Sequence, residues 1–333
     1  MAARKERLIQ MARNKAVFLV FLLLVFLLTG EACIRLLYPW VKNYDTEMWR
    51  YCRELKRNSS SGVPFEHIPG RRIELYNTEI KTNSLGMRAE RDYSIPKPEH
   101  TKRILVLGDS TTFGWGVDFR DTYPYLLEKL LNEDSSVRYE VINAGVGNYN
   151  SSAELEALKK MISLDPDIII LGYYINDPEE ISFPSLLFLK KHSYLYAFLW
   201  SKLINMRCSS GQVSYKIYYS NLYKNKSCLL RAKSDIIQMS DIARQRSIPF
   251  VLVNIPEMHD FKEYYFQPAQ QFVRRIVSQQ PGVIFLDLLD FVKGEDAEKF
   301  WVSEDDPHPN ALFYRIAAEA IYSKLKTSGM LLN

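Results

Sequence analysis

The chain has 333 residues, 47% hydrophobic and 13% aromatic, with 43 Lys and Arg against 39 Asp and Glu. The excess of +4 sits entirely in the first fifteen residues, where Arg4, Lys5, Arg7, Arg13 and Lys15 face one acid, Glu6, so residues 16–333 hold 38 charges of each sign. Such a body is too apolar for a disordered chain, and too evenly charged for a nucleic-acid binder, whose phosphate contacts need clustered cations.

The basic head precedes an unbroken apolar run, Ala16 to Leu28, then Thr29 and Gly30. This order reads as a signal anchor or a signal peptide. As a helix, residues 16–30 span roughly 22 Å, short of a hydrocarbon core of about 30 Å. Snorkelling by Lys15 and the apolar-aromatic tail Ile34–Trp40 would make up the difference. The cations before the run place the N-terminus in the cytoplasm and the rest outside, as a single-pass membrane protein. Cleavage is the alternative, since Gly30 and Ala32 are small residues at the right spacing. Export permits disulfides, and Cys208 and Cys228 lie in one polar insert, where they could bond or stay as thiols. No CxxC pair exists.

Residues 41–100 read as a stalk and a small β segment, with short strands over 71–95 around a turn at Asn83-Ser84-Leu85-Gly86. Pro96-Lys97-Pro98 forms a stiff connector. From Arg103 the pattern changes. Apolar runs of strand length, Ile104–Leu107, Tyr139–Ile142, Ile168–Leu171, Phe250–Ile255 and Val283–Leu286, alternate with helical patterns over Asp121–Leu131, Ser152–Ile162, Ala232–Arg244, Phe266–Ser278 and Ala311–Lys324. Fully apolar strands alternating with helices predict a parallel sheet covered on both faces, a doubly wound three-layer α/β/α fold. The interval from about 178 to 230 breaks the alternation. It reads as a helical, aromatic insert over the sheet, either a wall of a substrate cleft or additional packing.

Four segments carry candidate chemistry. Gly108-Asp109-Ser110 ends the first strand, at the sheet edge where open α/β folds bind ligands, so Ser110 is a candidate nucleophile. Asn143-Ala-Gly-Val-Gly-Asn-Tyr-Asn150 follows the second strand, and its small residues let backbone N–H groups approach a ligand. Asn176-Asp177 follows the third strand, where the Asn176 amide could donate to an oxyanion. Asp305-Asp306-Pro307-His308 precedes the last helix, where Asp305 could orient His308 as the base for Ser110. Of the five histidines, only His308 has a carboxylate at this spacing in a strand-to-helix loop.

The order of these four blocks resembles the SGNH hydrolases, also called GDSL esterases and lipases, over residues 103–325. The stretch Asn83-Ser-Leu-Gly-Met-Arg88 and the anchor are similar to those of exported bacterial members near polysaccharide pathways. The resemblance implies a flavodoxin-like fold, with Ser110 as nucleophile, His308 as base and Asp305 as its partner. The oxyanion hole would comprise Ser110 N–H, a backbone N–H at Asn148 and the Asn176 side chain. The family's second-block glycine aligns without gaps on Asn148, beside Gly147, and the glycine it often has two residues before Asn176 is here Tyr174.

The expected protein has a cytoplasmic head and signal anchor (1–40), a stalk and β segment (41–100) and a catalytic domain (101–333). It removes O-acyl groups, acetyl above all, from a glycan or glycolipid outside the cytoplasm, with no metal or organic cofactor and no nucleic acid partner. Acylated glycan or lipid, the membrane and polysaccharide-pathway proteins are the expected partners. An O-acyltransferase on the same scaffold and a non-catalytic glycan-binding or assembly protein are the alternatives.

Overall fold

The computed structural model describes residues 2–59, 62–133, 135–181, 192–207 and 211–331. The chain divides into two compact units, residues 1–49 with 184–210, and residues 50–183 with 211–333.

The larger unit is built on a five-stranded parallel sheet. In chain order its strands are β5 (Thr101–Gly108), β6 (Arg138–Asn143), β7 (Ile168–Tyr173), β8 (Phe250–Asn254) and β9 (Val283–Asp287), lying side by side as β6-β5-β7-β8-β9. Every pairing is parallel. The successive side chains of a strand point to opposite faces, so each apolar run supplies two cores. Ile104, Val106, Val141, Ile170 and Val253 face one side with α4 (Tyr123–Glu133) and α10 (Ala311–Thr327). Leu105, Leu107, Ile142, Leu171 and Leu252 face the other, with α5 (Ser151–Met161), α8 (Lys226–Gln245) and α9 (Gln267–Ser278). This is the predicted three-layer fold. The connection from β5 goes to one side of the sheet and the connection to β7 returns to the other, so the carboxyl ends of β5 and β7 flank the topological switch point, where α/β sheets bind ligands.

The segment ahead of the sheet contains α2 (Tyr44–Glu54) and two hairpins, β1 (Lys56–Asn58) with β2 (Phe65–His67) and β3 (Arg72–Leu75) with β4 (Thr78–Lys81). Tyr51, Leu55, His67 and Arg88 are all buried. A last hairpin, β10 (Trp301–Ser303) with β11 (Asp306–Pro309), leads into α10, whose N-terminus Asn310 caps by accepting from Leu312 N and Phe313 N.

The smaller unit has α1 (Ala2–Val41), whose residues 17–28 are exposed throughout, and α6 (Tyr194–Arg207). One N-terminal helix is therefore long and apolar enough to cross a membrane. The insert expected at about 178–230 divides. Helix α6 packs on α1, whereas α7 (Gly211–Leu222) belongs to the larger unit, where Tyr223, just past its end, donates to Ile175 O at the end of the sheet. Cys208 lies outside the described residues, and Cys228 is a buried free thiol.

Candidate active site

Ser110 follows β5 directly and opens the one-turn helix α3 (Ser110–Phe113). Gly108 precedes the turn with φ +154°, and a Cβ there would lie 2.0 Å from Thr112 Oγ1, so only glycine lets the strand end this sharply. Asp109 is fully buried, and its Oδ1 accepts Thr111 N–H (2.8 Å) and Thr111 Oγ1 (2.8 Å). Ser110 Oγ lies 3.0 Å from His308 Nε2, and His308 Nδ1 lies 2.6 Å from Asp306 Oδ1. A carboxylate only accepts, so Nδ1 carries the proton and Nε2 is left to accept from the Ser110 hydroxyl.

The carboxylate on His308 is thus Asp306, which corrects the expectation of Asp305. The reason is the strand. Asp306 begins β11, and in an extended chain residues two apart share a face whereas residues three apart do not. Asp306 Oδ1 also accepts His308 N–H at 3.0 Å, and Oδ2 accepts Trp115 Nε1–H at 2.7 Å. Asp305 instead accepts from the Tyr76 hydroxyl (2.9 Å) and Ser303 Oγ. Tyr76 sits at the tip of the β3–β4 hairpin with φ +53°, followed by Asn77 at +61°, the backbone of a two-residue hairpin turn.

Of the expected oxyanion donors, Ser110 N–H and Asn148 N–H have no acceptor among the described residues. Asn148 occupies the third position of a turn closed by Tyr149 N–H to Val146 O, with φ +67°. Glycine usually takes that conformation, and asparagine is among the few other residues that tolerate it. The departure at Asn148 therefore keeps the backbone geometry of a glycine. Asn176 lies beside the Asp109 carboxyl, and its Oδ1 is buried without a partner.

The segment before the sheet builds this turn, a role the sequence did not reveal. Gly147 N–H donates to the Tyr51 hydroxyl (2.8 Å), which is 2.7 Å from His67 Nε2, while His67 Nδ1 faces Gly86 O at 3.2 Å. A carbonyl only accepts, so His67 donates from Nδ1 and accepts the Tyr51 proton at Nε2. Burial and the Lys56 charge push His67 down to about 3. Lys56 Nζ holds Gly147 O, and burial lowers it to about 8. In a trans peptide the N–H points opposite the carbonyl, so this contact turns Asn148 N–H away from Lys56. The small residues here also serve packing. A Cβ at Gly145 would lie 2.3 Å from Phe113 N, and one at Gly147 would meet the Tyr51 ring. Arg88, fully buried, donates to the carbonyls of Phe113, Gly114 and Val117 and so fixes the loop that follows the serine.

Beneath the site lies a set of buried acids. Burial and the charges of Asp109 and Asp235 push Glu154 well above the ordinary carboxylate range, and neither of its oxygens has a partner. Burial, with Glu154 and Asp109, does the same to Asp177. Burial and mutual repulsion thus favour the protonated over the charged form of these carboxyls under the nucleophile. A cavity of about 750 Å³ opens at the opposite edge of the sheet, beside Ile104, Ile168 and Pro249, and none of Ser110, His308 and Asp306 lines it.

A search of curated proteins finds no match. Among solved structures, the chain is similar to TesA (17% identity, TM-score 0.47, covering 68% of this chain and 99% of that one). It is also similar to a lipase from a goat rumen metagenome (17%, TM-score 0.47, 67% and 97%), and to the psychrotrophic esterase EstA from Pseudoalteromonas sp. (13%, TM-score 0.46, 69% and 99%). The GDSL-like lipase/acylhydrolase family matches residues 106–316, from the strand before the serine to the helix after the histidine. The chain belongs to the GDSL-like lipase/acylhydrolase family and is a serine hydrolase.

Proposed function

We propose that this hydrolase is anchored in a membrane with its catalytic body outside the cytoplasm, and that it removes O-acyl groups, acetyl in the first place, from a glycan or glycolipid. The observation that carries the reaction is the line from Ser110 Oγ through His308 to Asp306. As Oγ attacks the ester carbonyl, Nε2 takes its proton, and Asp306 stabilises the imidazolium that forms. Ser110 N–H, Asn148 N–H and the Asn176 amide receive the oxyanion, and losing one such donor typically costs roughly 10²–10³ in turnover. The imidazolium then protonates the leaving alcohol. Water, deprotonated by the same Nε2, releases the acyl group.

Retention of the anchor is supported by Glu31. Its carboxylate accepts Tyr194 N–H (3.1 Å), Leu195 N–H (2.9 Å) and Ser193 Oγ (2.8 Å), so it caps α6. Arg35 donates to His192 O and pairs with Glu31. Cleavage after Ala32 would strip α6 of the Glu31 cap. The neutral surface of the body suits an uncharged ester better than a polyanion.

The test is hydrolysis of a short-chain aryl acetate by the membrane-embedded full chain beside Ser110→Ala, with an expected loss of at least about 10³. Equal rates would overturn the mechanism. A reporter fused after residue 333 that is active in the cytoplasm would overturn the topology, and a mature protein starting near residue 33 would overturn retention of the anchor.

A further inference from the structure

A second carboxylate–imidazole pair stands on the same edge of the sheet as Ser110. Beyond β8 the chain runs Ile255-Pro256-Glu257-Met258-His259. Glu257 is buried, and its two oxygens take His259 N–H (3.1 Å) and His259 Nδ1. Since the carboxylate accepts, Nδ1 carries the proton and Nε2 presents a lone pair. Nε2 has no partner among the described residues, and the side chain is about one-fifth exposed. The ring contacts Tyr215, with centroids 4.7 Å apart, and Trp301, at 5.8 Å.

Two contacts tie this pair to the catalytic groups. Trp301 Nε1–H donates to Met258 O at 2.6 Å, and Trp301 is paired in register with Pro309, the neighbour of His308. Tyr174, two residues before Asn176, lies near the charges of both Glu257 and Asp109 and packs against the same apolar cluster as Tyr215. The open imidazole thus sits on the loop that leaves the carboxyl end of β8, tied through Trp301 to the strand that carries His308.

We propose that His259 is a substrate-binding residue for the alcohol part of the ester. Nε2 accepts a hydrogen bond from a sugar hydroxyl, and the Tyr215 and Trp301 rings supply the apolar surface against which a pyranose lies. A buried carboxylate holding an imidazole in one tautomer gives a fixed acceptor, and fixed acceptors select for hydroxylated ligands. The aromatic walls contribute contact area at low entropy cost. This rests on the glycan reading of the substrate, but not on turnover.

Two experiments test it on the full chain. In the first, Ser110→Ala protein is titrated with unacetylated xylobiose, cellobiose and chitobiose at millimolar concentration while the His259 imidazole signals are followed by NMR. At least one sugar should shift them, and His259→Ala should weaken binding about tenfold, the value of one hydrogen bond and its ring contacts. In the second, the kcat/KM of His259→Ala on an acetylated disaccharide should fall about tenfold further than on an aryl acetate, mainly through KM, with partial recovery in His259→Gln. No shift with any sugar, or equal losses on both esters, would overturn the proposal. A sugar-induced shift without esterase activity would uphold it while the proposed reaction fails.

Discussion

The molecule contains the same local device twice. Asp306-x-His308 and Glu257-x-His259 each put a carboxylate two residues before an imidazole, and each carboxylate takes both the ring Nδ1–H and the backbone N–H of its histidine. Both carboxylates are buried. One Nε2 meets Ser110 at 3.0 Å, and the other meets no described group. The device fixes a tautomer; it does not make a base. What separates a base from a binding group here is whether a serine hydroxyl stands within reach of Nε2.

The largest expected effect comes from making the same change in both pairs. Asp306→Asn should lower kcat by roughly 10³–10⁴, because the amide favours the wrong tautomer of His308. Glu257→Gln should lower kcat on an aryl acetate by at most a few-fold. Asp305→Asn, which lies on the Tyr76 and Ser303 side of the hairpin, should also cost little. Steady-state kinetics on the three variants checks all of this, and a large loss from Asp305→Asn would return that residue to the triad.

Trp115→Phe comes next. It leaves Asp306 Oδ2 without its buried donor, and kcat should fall about tenfold as the carboxylate loses its orientation. An unchanged kcat would overturn this orienting role.

A smaller effect concerns stability. His67 stays neutral in the folded protein down to about pH 3, whereas in the unfolded chain it titrates near 6.5. Its contribution is therefore complete above about pH 6.5 and is lost as pH falls toward 3, since the unfolded state binds the extra proton. Urea melts of His67→Gln should show a shallower loss of stability across that interval. The opposite sign is expected at Glu154. Its folded pKa is raised, so its contribution is complete below about 4.3 and declines as pH rises. Glu154→Gln should therefore gain in stability on the native protein as pH rises from 4 to 8, which urea melts at the two ends of that interval would read.

Much of this is legible in one sequence. Five Val- and Ile-rich runs bounded by turns indicate a sheet buried on both faces, and the structure has those strands in parallel order. Ser110, His308 and Asn176 stand out by their places after strands or before the last helix. Asp305 rests on spacing alone, and that fails because spacing on a chain does not say whether the chain is helical, looped or extended. The β10–β11 hairpin makes it extended and moves the carboxylate by one position. The Tyr51, Lys56 and His67 support of Asn148 leaves no signal at all, since Tyr51 and Gly147 are 96 residues apart and no period links them.

The sequence by itself determined the apolar layers, the strand ends that carry chemistry and the placing of all excess charge ahead of an apolar run, because these depend on local composition and on side-chain alternation. Tertiary structure alone decided which carboxylate orients His308, how the Asn148 turn is held by Tyr51 and Lys56, and why His259 has an open nitrogen. Each of these depends on distances between segments remote in the chain, and burial and hydrogen-bond direction select among side chains that the sequence offers on equal terms.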